Sequence, residues 1–210
     1  GAGYFNPLTG YMSLGDSLSV ADQLRTTSGL FWPVPIVNVV KDAGPALGKR
    51  RIALRDPNVE GSPVIAVQEV EAIERASPEQ MEHMTKKIFR TTDPKHPGVA
   101  AFNSVGDTLV SGPIKVLSFS YFEKEFPATF RTAYQLRDRM RALGWNKVVA
   151  FQTRNPMHRA HEELCRMAYK DLQADGILIH MLLGRLKPGD IPAAVRDEAI
   201  RKMVDLYFPK

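Results

Sequence analysis

The residues best equipped for chemistry lie in one run, Phe151-Gln152-Thr153-Arg154-Asn155-Pro156-Met157-His158-Arg159-Ala160-His161. A hydrophobic strand expected over 147–152 leads into a polar turn, and the turn leads straight into a helix carrying two histidines. That order gathers backbone N–H groups, a guanidinium, a carboxamide and two imidazoles around one helix N-terminus. Unpaired N–H groups and the helix dipole both favour negative charge there, so the run reads as a site for phosphate or sulfate chemistry.

Each residue has a plainer alternative beside that reading. Gln152 ends the strand and offers an amide donor to an oxyanion. Arg154 stands in a turn after a buried strand, where its planar fork matches phosphate or sulfate oxygens; the alternative is a solvated turn arginine. Thr153 and Asn155 either cap the helix or orient a ligand, and the two roles can coexist. His158 and His161 are three residues apart and share a helix face. From there they can aim donors at phosphate oxygens while charge builds up in phosphoryl or nucleotidyl transfer. Metal ligation is a weaker alternative, because the zinc-protease pattern needs His-Glu-x-x-His and here Arg159-Ala160 lie between the histidines. Core packing is an alternative for His161 alone. Neither G-x-x-x-x-G-K-[ST] nor G-x-G-x-x-G occurs, and Cys165, mid-helix among apolar residues, reads as core. An attacking group that is already an anion needs no general base.

The elements that position this run come from a change of rhythm near Phe126. Before it, short β-branched runs at 36–40, 51–55, 64–73 and 108–117 are separated by Gly, Pro, Asp and Asn. One helix is signalled among them: Ser77 as cap, Pro78 in the first turn, Gln80 completing a capping box, and Met81, Met84 and Ile88 on one face. That part reads as a small barrel or sandwich with an inserted helix. After it, a helix is expected over 128–143 with Phe130, Ala133, Tyr134, Met140 and Leu143 inward and Gly144 as stop. The 147–152 strand and a helix burying His161, Leu164, Cys165, Ala168 and Leu172 come next. The apolar run 176–183 fits a buried parallel strand. Pro192 then opens a helix with Val195, Ala199, Met203 and Leu206 inward. This alternation implies a doubly wound parallel sheet, whose ligands bind at the carboxyl ends of strands. Two strands are few for such a sheet, so the second domain reads as truncated.

Charge and composition narrow the partners. Between Ala128 and His161 seven Lys or Arg (Arg131, Arg137, Arg139, Arg141, Lys147, Arg154 and Arg159) stand against Asp138 alone, so this window holds the excess behind the net charge of +5. A local excess favours an anionic ligand, although Arg137, Arg139 and Arg141 also fit a solvated helix face. No stripe of basic and aromatic residues suggests nucleic acid. No apolar run approaches the roughly 20 residues that span a bilayer, and the N-terminal residues lack the pattern of a signal peptide. One cysteine cannot form an internal disulfide, which fits the cytoplasm.

Gln152 through His161 resembles the signature of the ATP sulfurylase (sulfate adenylyltransferase) family, itself similar to the His-x-Gly-His element of other nucleotidyltransferases. Further blocks are similar in the family's order: Pro7 to Met12, Ile52 to Asp56, Thr91 to Val99 and Lys187-Pro188-Gly189-Asp190. The resemblance covers essentially the whole chain. It implies an α+β then α/β architecture: a PUA-like β-barrel domain over 1–125, then a truncated Rossmann-like nucleotidyltransferase domain over 126–210. It implies ATP + sulfate ⇌ adenosine 5′-phosphosulfate + pyrophosphate, with Mg²⁺ accompanying ATP and no protein-held metal, in sulfate activation or dissimilatory sulfur metabolism. Carried over by position, Gln152 and Arg154 bind sulfate. Thr153, Arg154 and Asn155 form the catalytic turn, and His158 and His161 steady the phosphates, so that all six residues contact ATP. The family's Gly-Arg-Asp-His loop is absent from these 210 residues. An isolated piece is therefore expected to turn over weakly or not at all. An unpaired sheet edge favours association, and a homodimer is expected. The competing expectations are an inactive or anion-binding fragment and a His-x-x-His nucleotidyltransferase with another acceptor.

Overall fold

The computed structural model describes residues 2–184 and 189–208, and the chain divides into two compact units, Gly1–Tyr121 and Phe122–Lys210. The Lys187-Pro188 half of the last family-like block lies outside the described residues.

The first unit is organised by one long strand. Its elements are β1 (Gly10–Tyr11), α1 (Leu14–Gln23), β2 (Val39–Val40), β3 (Arg51–Arg55), β4 (Val64–Glu69), β5 (Ala72–Arg75), α2 (Pro78–Phe89), α3 (Pro97–Ser104) and β6 (Thr108–Val116). Strand β6 pairs antiparallel with β1, β2, β4 and β5, and β3 pairs with the far side of β4. One strand serves so many partners because it bends at Gly112. That residue has φ +133°, and a Cβ there would lie 2.2 Å from the Glu69 carbonyl oxygen. Before the bend β6 pairs with β5, and after it with β4. The apolar run 64–73 is accordingly two strands. Of the strand expected at 36–40, only Val39–Val40 is regular: the Ile36 carbonyl accepts from Met12 N–H and the Asn38 carbonyl accepts from Val110 N–H.

Helix α2 has the expected cap, with Gln80 N–H donating to Ser77 Oγ and Ser77 N–H donating to Gln80 Oε1. Met84 is buried with Ala76 and Leu109, and Met81 and Ile88 pack around them. Two helices were missed by the single-helix reading. Ser13 caps α1 by accepting from Asp16 N–H, and His96 Nδ1 caps α3 by accepting from Gly98 and Val99 N–H. Their caps lie beside or within the blocks 7–12 and 91–99, which were read only for their family likeness.

The second unit runs α4 (Phe122–Glu125), α5 (Ala133–Ala142), β7 (Val148–Thr153), α6 (Arg159–Asp171), β8 (Gly176–Met181) and α7 (Ala193–Tyr207). Strands β7 and β8 are parallel, with Val148 opposite Gly176 and Thr153 opposite Met181. Helix α6 is the crossover between them. Register is set at the amino end, where Asp175 accepts from Asn146 and Lys147 N–H at 2.7 and 2.8 Å. There too the Trp145 ring lies against Gly176, 2.2 Å from where a Cβ would stand.

Several expected faces need correcting. The helix expected over 128–143 begins at Ala133, because Thr132 and Gln135 form a capping box. The Arg131 guanidinium meanwhile donates to the carbonyls of Pro127, Ala128 and Phe130, which holds that segment as a turn. Tyr134 and Leu143 are exposed, as are Leu164 and Leu172 of α6. Strand β8 is only half buried, and His180 on it is exposed. The inward face of α7 is Arg196, Ile200 and Met203, while Val195 and Leu206 face outward. The core of this unit is Met157, Cys165, Ile200 and Met203, packed by Phe151, Ile177 and Ile179.

Candidate functional site

The turn between β7 and α6 stands at the carboxyl end of the strand pair, where parallel sheets leave backbone N–H groups and strand-end side chains free for ligands. Its shape comes from Thr153. This residue is 9% exposed. Its hydroxyl donates to the Asn155 carbonyl at 2.9 Å and accepts from Asn155 N–H at 3.1 Å. The hydroxyl thus closes a tight Asx-like loop on its own backbone. Thr153 does not cap α6, and neither does Asn155: the N-cap position is His158, with extended φ −135° and ψ 177°. In place of a hydroxyl cap, His158 and His161 form a box at the start of α6, the His158 side chain facing the His161 backbone and His161 Nδ1 accepting from His158 N–H.

Gln152 and Arg154 flank this loop with exposed side chains. Arg154 Nη2 lies 3.7 Å from Asp190 Oδ1, a loose ion pair in which Arg154 stays 46% exposed. A guanidinium so placed is oriented without being saturated, so it keeps donors for an incoming oxyanion. Asp190 was read only as part of a family-like block; its contact with Arg154 spans 36 residues and left no local signal.

The two histidines come together as their spacing requires. Their ring centroids are 3.9 Å apart with planes tilted by 35°, and His161 also lies 5.5 Å from the Phe151 ring. His158 N–H donates to His161 Nδ1 at 3.4 Å. An accepting Nδ1 assigns the proton of neutral His161 to Nε2, which makes that nitrogen a donor. His158 is exposed and His161 half-buried.

The basic window disperses. Arg137, Arg139 and Arg141 lie exposed on α5, with Arg141 paired to Asp138 at 3.1 Å. Lys147 precedes β7, at the end away from the turn. Arg159 joins Arg166 around the buried carboxylate of Glu162, at 2.5 and 2.8 Å, and its guanidinium lies over the Tyr207 ring. That cluster fastens α6 to α7. Of the seven cations, Arg154 is the one that flanks the turn with donors to spare. Cys165 is 1% exposed, and burial pushes its thiol pKa up, so it behaves as core. Among the described residues no group of three His, Cys, Asp or Glu could hold a metal ion, and no helix is long and apolar enough to cross a membrane.

Sequence reasoning also missed Arg196. It is a charge at the same helical phase as Ile200 and Met203, and patterning by apolarity alone turns such a residue outward. It is buried, and its Nη1 donates to the carbonyls of Arg154 and Leu182.

Comparison with known proteins places the chain. A PUA-like domain model matches residues 1–119 and an ATP-sulfurylase model matches residues 128–210. Proteins named sulfate adenylyltransferase are similar along its length. One from Alcanivorax borkumensis is 65% identical over 99% of this chain and 52% of its own length. One from Allochromatium vinosum is 60% identical over 100% of this chain and 53% of its own. The chain spans about half the length of the curated relatives it matches. A hexameric APS kinase structure from Thiobacillus denitrificans aligns with 99% of this chain and 36% of its own at a TM-score of 0.65 and 21% identity, a likeness of fold. With matched models covering both units and relatives similar along the whole of this chain, the chain belongs to the ATP-sulfurylase family.

Proposed function

We propose that this chain carries the sulfate-binding half of a sulfate adenylyltransferase site, which joins ATP and sulfate to give adenosine 5′-phosphosulfate and pyrophosphate, reversibly. The observation that carries the reading is the turn at the end of β7. It combines an unsaturated guanidinium, Arg154, with the amino end of α6 and a histidine pair at that end. In the forward direction a sulfate oxygen attacks the α-phosphorus, a new P–O bond forms, and the bond to the bridging oxygen breaks as pyrophosphate leaves. Sulfate is a weak nucleophile, so alignment and charge neutralisation must supply the rate. Gln152 and Arg154 hold sulfate, with Arg154 bridging to the α-phosphate. Thr153 and Asn155 fix the loop that presents them, and His158 with His161 Nε2–H donates to the phosphate oxygens of ATP.

Mg²⁺ would accompany ATP and neutralise part of its phosphate charge, with the substrate phosphates supplying ligands. Around the site we propose a PUA-like barrel over 1–125, closed about β6, and a Rossmann-like nucleotidyltransferase domain from 126. We propose further that the protein works in the cytoplasm as a homodimer without nucleic-acid or membrane partners. The test is pyrophosphate release from ATP by the complete protein that carries this chain. Dependence on sulfate, and futile ATP cleavage with molybdate, supports the reading. Release that needs a different acceptor assigns the site to another His-x-x-His nucleotidyltransferase. Calorimetry showing anion binding with no release reduces it to a binding module.

A further inference from the structure

Arg196 is the least comfortable residue of the second unit. It is 1% exposed, and among the described residues it forms no ion pair. Its neighbour Asp197 is already engaged by Arg201 Nε at 3.0 Å and by the Thr129 hydroxyl. A buried charge without a counter-charge is costly. The position adds to that cost, because Arg196 lies in the first turn of α7, at the positive end of the helix dipole. Only one nitrogen of the fork is bonded: Nη1 donates to the carbonyl of Arg154, at 2.9 Å, and to that of Leu182. Nε and Nη2 are buried without a partner. Three unfavourable features at one residue call for a purpose, and the contacts supply it. The two carbonyls belong to the segments that follow β7 and β8, the edge at which the oxyanion turn stands.

We propose that Arg196 is a positioning residue of the anion site: its guanidinium ties the Arg154 main chain to the end of β8 and sets an uncompensated positive charge behind the oxyanion turn. Holding the Arg154 carbonyl fixes the main chain from which the exposed Arg154 side chain projects. The charge acts through the protein interior, where it is screened far less than a surface lysine would be. An anion in the turn would supply the counter-charge that the fold withholds. The tie does not depend on which anion binds. The charge is read here through sulfate and therefore rests on the function proposed above.

Hydrogen exchange and calorimetry on the 210-residue chain test the two parts separately, using Arg196→Met and Arg196→Lys. In wild type, the Arg196 Nε–H signal should persist in NMR spectra at pH 8, where exposed arginine side chains exchange away. In Arg196→Met, the amides of 153–155, 157 and 158 should exchange about tenfold faster or more, while those of 148–151 stay unchanged, a local opening rather than global loss. Should Arg196→Met not fold, Arg196→Lys reads the same amides, with a smaller acceleration. Equal exchange at those amides in wild type and variant, or acceleration shared equally by 148–151, overturns the tie. Sulfate titrated at constant ionic strength should bind several-fold more weakly to Arg196→Met, with Arg196→Lys restoring part of the affinity. Equal affinity in all three overturns the charge. If wild type binds no sulfate, the charge as stated fails together with the proposed function, while the exchange result still decides the tie.

Discussion

Thr153→Val isolates what the loop at the end of β7 contributes. Valine has the shape of threonine, so no cavity opens, but the hydroxyl that serves both the N–H and the carbonyl of Asn155 is lost. Two backbone groups then lose their partner at a position only 9% exposed. Leaving such groups unmade costs about 1–3 kcal/mol. Asn155 itself is exposed and water can reach part of the loop, which favours the lower half of that range. For a unit of this size, about 1–2 kcal/mol corresponds to a fall in Tm of about 5–15 °C. Urea unfolding of the 210-residue chain in a Trp32→Phe background gives the measurement, since Trp145, packed against Gly176, then reports the second unit alone. The midpoint should drop with an unchanged slope, and Thr153→Ser should recover most of the loss. A valine variant unfolding at the wild-type midpoint would refute the assignment of Thr153 as the residue that shapes the turn.

Two further outcomes follow from the amino end of the strand pair. Gly176→Ala places a methyl 2.2 Å from the Trp145 ring and should cost about 1–3 kcal/mol, with a red-shifted Trp145 emission as the ring is displaced; an unshifted spectrum with unchanged stability contradicts the packing. Asp175 has its carboxyl held below the usual range by backbone hydrogen bonds from Lys147 and Asn146. A depressed folded pKa means a contribution fully present above the unfolded value, about 4, and lost as pH falls through the folded one. Asp175→Asn should therefore lower the urea midpoint at pH 7 and flatten its decline below about pH 4. Parallel pH profiles for wild type and variant would sink that assignment.

How far the sequence could be read depended on whether the signal was local. The α2 cap at Ser77 and Gln80 and the meeting of His158 with His161 arise from residues a few positions apart, and the parallel β7–β8 pair from the alternation of strand and helix patterns, and each was legible. The start of α5 was misplaced because Thr132-x-x-Gln135 was passed over in favour of apolar spacing. On α7 Met203 was placed inward correctly, but Val195 and Leu206 face outward because the inward row includes a cation, Arg196. Arg196 makes sense only once the carbonyls of Arg154 and Leu182 are in place beside it, 42 and 14 residues away. Asp190 meets Arg154 in the same long-range way. The bend at Gly112 likewise follows from the Glu69 carbonyl, a contact no local pattern announces. Charges adjacent in the basic window were dispersed by α5, β7 and α6, and Arg137, Arg139 and Arg141 form the solvated helix face that the sequence also fitted.

The central claim is that Arg154 holds sulfate against the α-phosphate of ATP. Luciferase-coupled ATP formation from adenosine 5′-phosphosulfate and pyrophosphate tests it most directly, comparing wild type with Arg154→Ala in the complete protein that carries this chain. Losing a donor aimed at developing charge costs on the order of 10²–10³ in rate. The variant should fall by at least that much while its urea midpoint stays within about 0.5 kcal/mol of wild type, as for an exposed side chain. ATP formation at a near-normal rate by a folded Arg154→Ala protein would contradict the account.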